Sequence, residues 1–117
     1  MSLDPDAFFS ALAHPLRLRT LILLHQEHEL CVCELTAALG VSQPMISRHL
    51  AQLREARVVR DRREALWVHY SLHPDLPAWA RGVLTDAAAG LAGQTPYAHD
   101  RAVLAAMPQR PIPKRCA

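Results

Sequence analysis

The sequence predicts a mainly α fold with one small β-hairpin, arranged as a dimeric winged helix-turn-helix. Three observations carry this. Apolar residues recur at helical spacing through the first half of the chain. Two of those helical stretches are separated by a tight turn at Gly40 with a capping Ser42 behind it. After Val58 the period changes to two, and after Pro77 it returns to that of a helix.

Each element follows from its residues. Pro5 to Ala13 reads as a short helix, with Phe8, Phe9 and Leu12 on one side. Pro15 suits the first turn of a second helix, which runs to about His25 and presents Leu18, Leu21, Ile22 and Leu24. A third spans Val32 to Leu39 and stops at Gly40, the residue that most easily adopts a left-handed cap. Ser42 caps a fourth helix ending near Ala56, with Pro44 in its first turn and Ile46, Leu50 and Leu53 on its buried face. Leu66, Val68 and Tyr70 alternate with Trp67, His69 and Ser71 as a strand does. Val58 to Arg60 can pair with them through a polar loop at Asp61 to Ala65. A long helix from about Pro77 to Leu91 completes the domain, expected to span residues 1–93. Four of the nine prolines follow Thr95, so residues 94–117 are expected to form a loose tail, with one helical turn around Ala102 to Met107.

Composition narrows the function. A chain of 117 residues makes one compact domain with a modest core, and aromatic residues are only 5% of it. Burial against a second copy would complete that core. The first and last helices are the natural surface, because Ala80, Ala87 and Ala88 allow close approach. No apolar run reaches the ~20 residues that cross a bilayer. Met1 to Asp6 lacks the charged start of a signal peptide. Three cysteines, an odd number, argue against a disulfide framework, so the thiols are expected to be reduced and the protein cytoplasmic.

Net charge is only +2, yet Arg48, Arg54, Arg57, Arg60, Arg62 and Arg63 fall within sixteen residues. Such a stripe on a near-neutral chain fits a polyanion meeting one face, and double-stranded DNA fits the helix beneath it. Gln43 can read adenine, Arg48 can read guanine or hold a phosphate, and Ser42 and Ser47 lie at the same leading end. His49 sits nearer the buried side. Arg62 and Arg63, at the hairpin, would press on phosphates or the minor groove.

Ahead of this reader lies Leu30-Cys-Val-Cys-Glu-Leu35. Two thiols one residue apart suit a soft metal or metalloid ion. Cys31-Val-Cys-Glu34 also has the spacing of a capping box, with sulfur in place of the hydroxyl, and a helix N-terminus favours the thiolate. In a regular helix these side chains point about 200° apart. Capture of one ion by both is therefore expected to fray the start of the third helix and disturb the recognition helix that it braces.

The stretch from Ala11 to Leu72 resembles the ArsR/SmtB family of metal-responsive repressors. The match rests on Ala11-Leu-Ala-His-Pro-Leu-Arg-Leu-Arg19, Glu29-Leu-Cys-Val-Cys-Glu-Leu35, Ser42-Gln-Pro-Met-Ile-Ser-Arg-His-Leu50, Leu53-Arg-Glu-Ala56 and Trp67-Val-His-Tyr70. The resemblance implies a homodimeric repressor that leaves operator DNA when trivalent arsenic or antimony binds, with no organic cofactor and no enzymatic activity. Thr36 stands where some relatives carry a third cysteine, and Arg57 and Ala65 where glycine is frequent. Trivalent arsenic usually takes three thiolates, which brings in Cys116, since an extended tail from Leu91 could span ~80 Å. The metalloid ligands expected are thus Cys31, Cys33 and Cys116. An alternative is a thiol redox sensor in which Cys31 or Cys33 pairs with Cys116. Zinc sensing finds little support, because the last helix offers only Asp86, with His99 and Asp100 beyond it. An arsenate-reducing enzyme would need a cysteine–arginine anion loop that is absent around Cys31 and Cys33.

Overall fold

A computed structural model describes residues 3–107. The order is α1 (Pro5–Leu12), α2 (Pro15–Glu27), β1 (Glu29–Cys31), α3 (Val32–Leu39), α4 (Gln43–Glu55), β2 (Val59–Glu64), β3 (Trp67–Leu72), α5 (Ala78–Leu91) and α6 (Tyr97–Ala105). The winged helix-turn-helix expected from the periodicity is present. Among the described residues, no single helix is long and apolar enough to cross a membrane.

Local chemistry sets the boundaries. The Asp4 carboxylate accepts from the Asp6 N–H to start α1, and His14 Nδ1 accepts from the Leu16 N–H at 3.1 Å to start α2. Gly40, at φ 67°, ends α3 as a left-handed cap. Ser42 Oγ accepts from the Met45 N–H at 3.3 Å to start α4. Leu21, Leu24, Leu35, Ile46, Leu50, Leu53 and Leu84, all buried, pack α2 to α5 around one core. The recognition helix α4 is thereby fixed through its apolar face, leaving the opposite face free.

Three features depart from the sequence expectation. First, the sheet has three strands in the order β1-β3-β2, all antiparallel. Glu29, Leu30 and Cys31 pair with Ser71, Tyr70 and His69. Three residues are too few to show a period. Second, the wing loop is shorter than expected. Asp61 to Glu64 belong to β2 and pair with Tyr70 to Trp67, leaving Ala65 and Leu66 as the turn. These side chains are polar because they face solvent, while their backbone still joins the ladder. Third, the tail is not loose where it is described. α6 covers residues 97–105, extending the single turn foreseen at Ala102 to Met107, and it buries Asp100 and Leu104.

Asp100 fixes α6 to the body. Arg19 on α2 donates from Nη2 to Asp100 Oδ1 at 2.6 Å and from Nε to Oδ2 at 2.8 Å. The same guanidinium reaches the Leu39 carbonyl at the end of α3, at 3.4 Å. This two-pronged pairing holds the Arg19 charge more firmly and raises its pKa further above its ordinary value. Arg101 adds a longer ion pair to Glu27, at 3.6 Å. The end of α3, where the chain turns toward the recognition helix, is thus tied to both α2 and α6.

Candidate thiol pair and nucleic-acid interface

Cys31 and Cys33 are joined by a disulfide, with Cα atoms 5.4 Å apart. This corrects two expectations. The thiols are not separate, and the backbone need not unwind to bring the sulfurs together. Cys31 is the last residue of β1 and the N-cap of α3, with extended backbone at φ −85°, ψ 164°. Cys33 is the second residue of the helix. The 200° separation applies only when both residues are helical, and the strand ends one residue too late for that.

The capping box is present. The Cys31 N–H donates to Glu34 Oε1 at 2.9 Å, and the Cys31 sulfur faces the N3 backbone in return. Cys31 and Glu34 are buried, and Cys33 is half-buried. Thr36, where a third thiol would stand, donates its hydroxyl to the Cys33 carbonyl at 2.9 Å. Cys116 lies outside the described residues. Among those residues, no group of three or more His, Cys, Asp and Glu side chains could hold a metal ion.

Strand pairing connects the thiols to the wing, which sequence reasoning missed. Cys31 is opposite His69, and His69 is opposite Arg62 on the other side of β3. Two residues before Cys31, Glu29 accepts from Arg62, Oε1 from Nη2 at 2.7 Å and Oε2 from Nε at 3.1 Å. This pairing draws the Glu29 carboxyl below its ordinary pKa and raises that of Arg62. His69 lies buried in the same row, and its Nε2 is 3.8 Å from Glu64 Oε2.

The expected DNA-facing residues divide into two groups. Ser42, Gln43, Ser47 and Arg48 are exposed along the leading half of α4, and Arg63 is exposed on β2. Arg62 is exposed but engaged with Glu29. His49 is the exception. It is half-buried, its ring centroid lies 4.4 Å from that of His14, and Arg17 Nη1 is 3.4 Å from its Nδ1. Burial, followed by the charges of His14, Arg17 and Arg48, pushes its pKa down. The same Arg17 group donates to Gln52 Oε1 at 2.6 Å, while Nε donates to the Ala11 carbonyl at 2.9 Å. His49 therefore belongs to a contact that docks α4 on α1 and α2.

Comparison with known proteins agrees with this geometry. Residues 14–61 match the family described as bacterial regulatory protein, arsR family. The chain is 48% identical over 116 residues to the arsenic resistance transcriptional regulator ArsR1 of Pseudomonas putida, covering 98% of this chain and 89% of that protein. It is 49% identical over 83 residues to the arsenical resistance operon repressor of Escherichia coli, covering 71% of each. Among solved structures, HlyU from Vibrio cholerae aligns with a TM-score of 0.64 at 33% identity, over 70% of this chain and 85% of that one. The AntR antimony-specific transcriptional repressor aligns with a TM-score of 0.62 at 25% identity, over 78% and 94%. A helix-turn-helix regulator rather than an enzyme, the chain belongs to the ArsR family.

Proposed function

We propose that this regulator is a repressor that binds operator DNA as a homodimer and releases it when trivalent arsenic or antimony bridges Cys31 and Cys33. The observation that carries the reading is the juxtaposition of two sulfurs at the junction of β1 and α3, one strand away from the wing. Ser42, Gln43, Ser47 and Arg48 would enter the major groove, and Arg62 and Arg63 would hold flanking phosphates. His49 acts from behind, by seating the helix. With the pair reduced, a metalloid closes an S–As–S bridge between the two sulfurs, the two thiol protons leaving with two arsenic hydroxyl groups as water and no electrons transferred. The resulting shift at Cys31 passes through the β1–β3 ladder and the Glu29–Arg62 ion pair to the wing. A differential affinity of about 1.4 kcal/mol already changes operator binding tenfold.

The second copy would dock on α1 and α5. Phe9 and Trp79 are both close to half exposed, and their rings stack at 6.0 Å on that face. A two-fold dimer matches the symmetry of a palindromic operator. Cytoplasmic placement follows from a role on DNA. Cys116, from either protomer, would supply a third thiolate.

A second reading is favoured by the Cys31–Cys33 disulfide itself: a redox sensor whose pair closes on oxidation, without Cys116. One experiment separates the two. Operator-binding anisotropy of the reduced protein is followed with arsenite, antimonite, cadmium, zinc and peroxide, on wild type and on Cys31→Ser, Cys33→Ser and Cys116→Ser. Arsenite release that needs Cys31 and Cys33 supports the proposal. Release by peroxide with no arsenite response supports the sensor of oxidation. Persistence of arsenite release in Cys31→Ser would refute the proposed site.

A further inference from the structure

Among the described residues, four large apolar side chains are exposed: Phe9, Met45, Leu66 and Trp79. Phe9 and Trp79 account for each other, stacked across α1 and α5. Met45 and Leu66 have no such partner in the fold. One stands on the recognition helix and the other at the wing turn, the two elements that would meet DNA.

Met45 is the third residue of α4 and is 41% exposed. It belongs neither to the buried core nor to the partly buried side chains packed on it. Its backbone is fixed by the helix start itself, because its N–H donates to Ser42 Oγ at 3.3 Å. Ile46, Leu50 and Leu53 mark the buried side of α4. At 100° per residue, Arg48 points almost directly away from them, and Met45 lies about 60° around from Arg48, one turn earlier. Helical side chains lean toward the N-terminus, so Met45 tilts toward the leading end of α4, the end that enters the major groove.

A thioether cannot read the hydrogen-bonding edges of bases. It is unbranched and polarisable, and it fills irregular apolar surface well. In the major groove that surface is the 5-methyl group of thymine, which distinguishes this base from the other three.

We propose that Met45 is a specificity-determining residue, reading the 5-methyl group of one thymine in each operator half-site, beside the base pair engaged by Arg48. The inference rests on the assignment of α4 as the reader of operator DNA. Gln43, Arg48 and Met45 then supply two kinds of readout from one helix end: hydrogen bonds from the first two and apolar contact from the third. Burial of one methyl group is worth about a fourfold change in affinity, and two half-sites multiply this to about fifteenfold.

The test uses the full-length protein, reduced and free of metalloid, with a fluorescent duplex that it has selected from randomised DNA. Each thymine is replaced in turn by deoxyuridine, symmetrically in both half-sites, and binding is followed by anisotropy. This exchange removes the methyl group and keeps every hydrogen-bonding edge. At one position it should weaken wild-type binding about fifteenfold, while Met45→Ala binds the two duplexes alike. Met45→Gln, a polar side chain of similar length, should also lose the discrimination, and serves if the alanine variant does not fold. Leu66→Ala should keep it. Retention of the full uracil effect in a folded Met45 variant, or the absence of any such position in the wild type, overturns the Met45 assignment and leaves the DNA reader in place. Loss of the effect in Leu66→Ala alone moves the methyl contact to the wing and overturns the assignment equally. Failure of the wild-type protein to select any duplex overturns the DNA-reading role of α4 and Met45 together.

Discussion

Replacing Asp100 with alanine removes the carboxylate that holds α6 against α2 and the end of α3. Asp100 is 1% exposed, whereas its partner Arg19 keeps 21% of its side chain in water. The substitution deletes two charge-assisted hydrogen bonds, at 2.6 and 2.8 Å. Breaking a fully buried ion pair costs about 3–5 kcal/mol, because one charge is left stranded. Arg19 can rehydrate through its exposed fifth, which places the expected loss near the lower end, at about 3 kcal/mol. For a domain of this size that lowers the melting temperature by roughly 10–20 °C. Urea denaturation at a fixed protein concentration measures it, with the m-value unchanged if α6 stays folded until the global transition. The double variant Arg19→Met, Asp100→Leu should recover much of the loss, since it leaves no unpaired charge. A loss below about 1 kcal/mol in Asp100→Ala would refute the reasoning, because that is the value of an exposed surface pair.

Other outcomes follow from the same geometry. Arg57 and Ala65 hold left-handed backbone at φ 62° and 54° without being glycine. Arg57→Gly and Ala65→Gly should each stabilise the fold by up to about 1 kcal/mol in thermal melts, the strain relieved exceeding glycine's entropic cost. Arg63→Ala should make the fall of operator affinity with salt shallower by about 0.9 for each phosphate left unneutralised, doubled in a two-fold dimer. Glu29→Gln leaves Arg62 only its longer pair with Glu64, at 3.6 Å, and should tighten operator binding a few-fold in the same assay. His49 has its pKa pushed below the ordinary 6.5 by burial beside His14, Arg17 and Arg48. The unfolded chain therefore takes up the proton first, and stability should fall as pH drops below about 6.5, levelling off below the folded pKa. His49→Gln should flatten that part of the melting-temperature profile.

Legibility in the sequence followed the range of the interactions. Gly40 and Ser42 act within their own turns, so the limits of α3 and α4 could be read directly. Val68, Tyr70 and Leu72 carry a period of two because one face of β3 packs on the core. Asp61 to Glu64 hide their strand because their side chains face water while only the backbone pairs. β1 is too short to show any period. α6 depends on Asp100 meeting Arg19 from 81 residues away, a contact no local pattern records. The thiol pair is legible as residues but not as geometry, because Cys31 ends β1 and the helical period begins only at Val32. Arg62 reads from the sequence as a cation of the wing, whereas its pairing with Glu29 depends on β1 lying beside β3.

Coupling between the thiol pair and the DNA-facing surface is the central claim, and linkage makes it directly measurable. Calorimetric titration of the reduced protein with arsenite, free and saturated with operator DNA, gives the metalloid affinity in both states. Arsenite should bind the DNA complex more weakly than the free protein, by the same factor by which arsenite weakens operator binding. Equal arsenite affinity in the two states would contradict it.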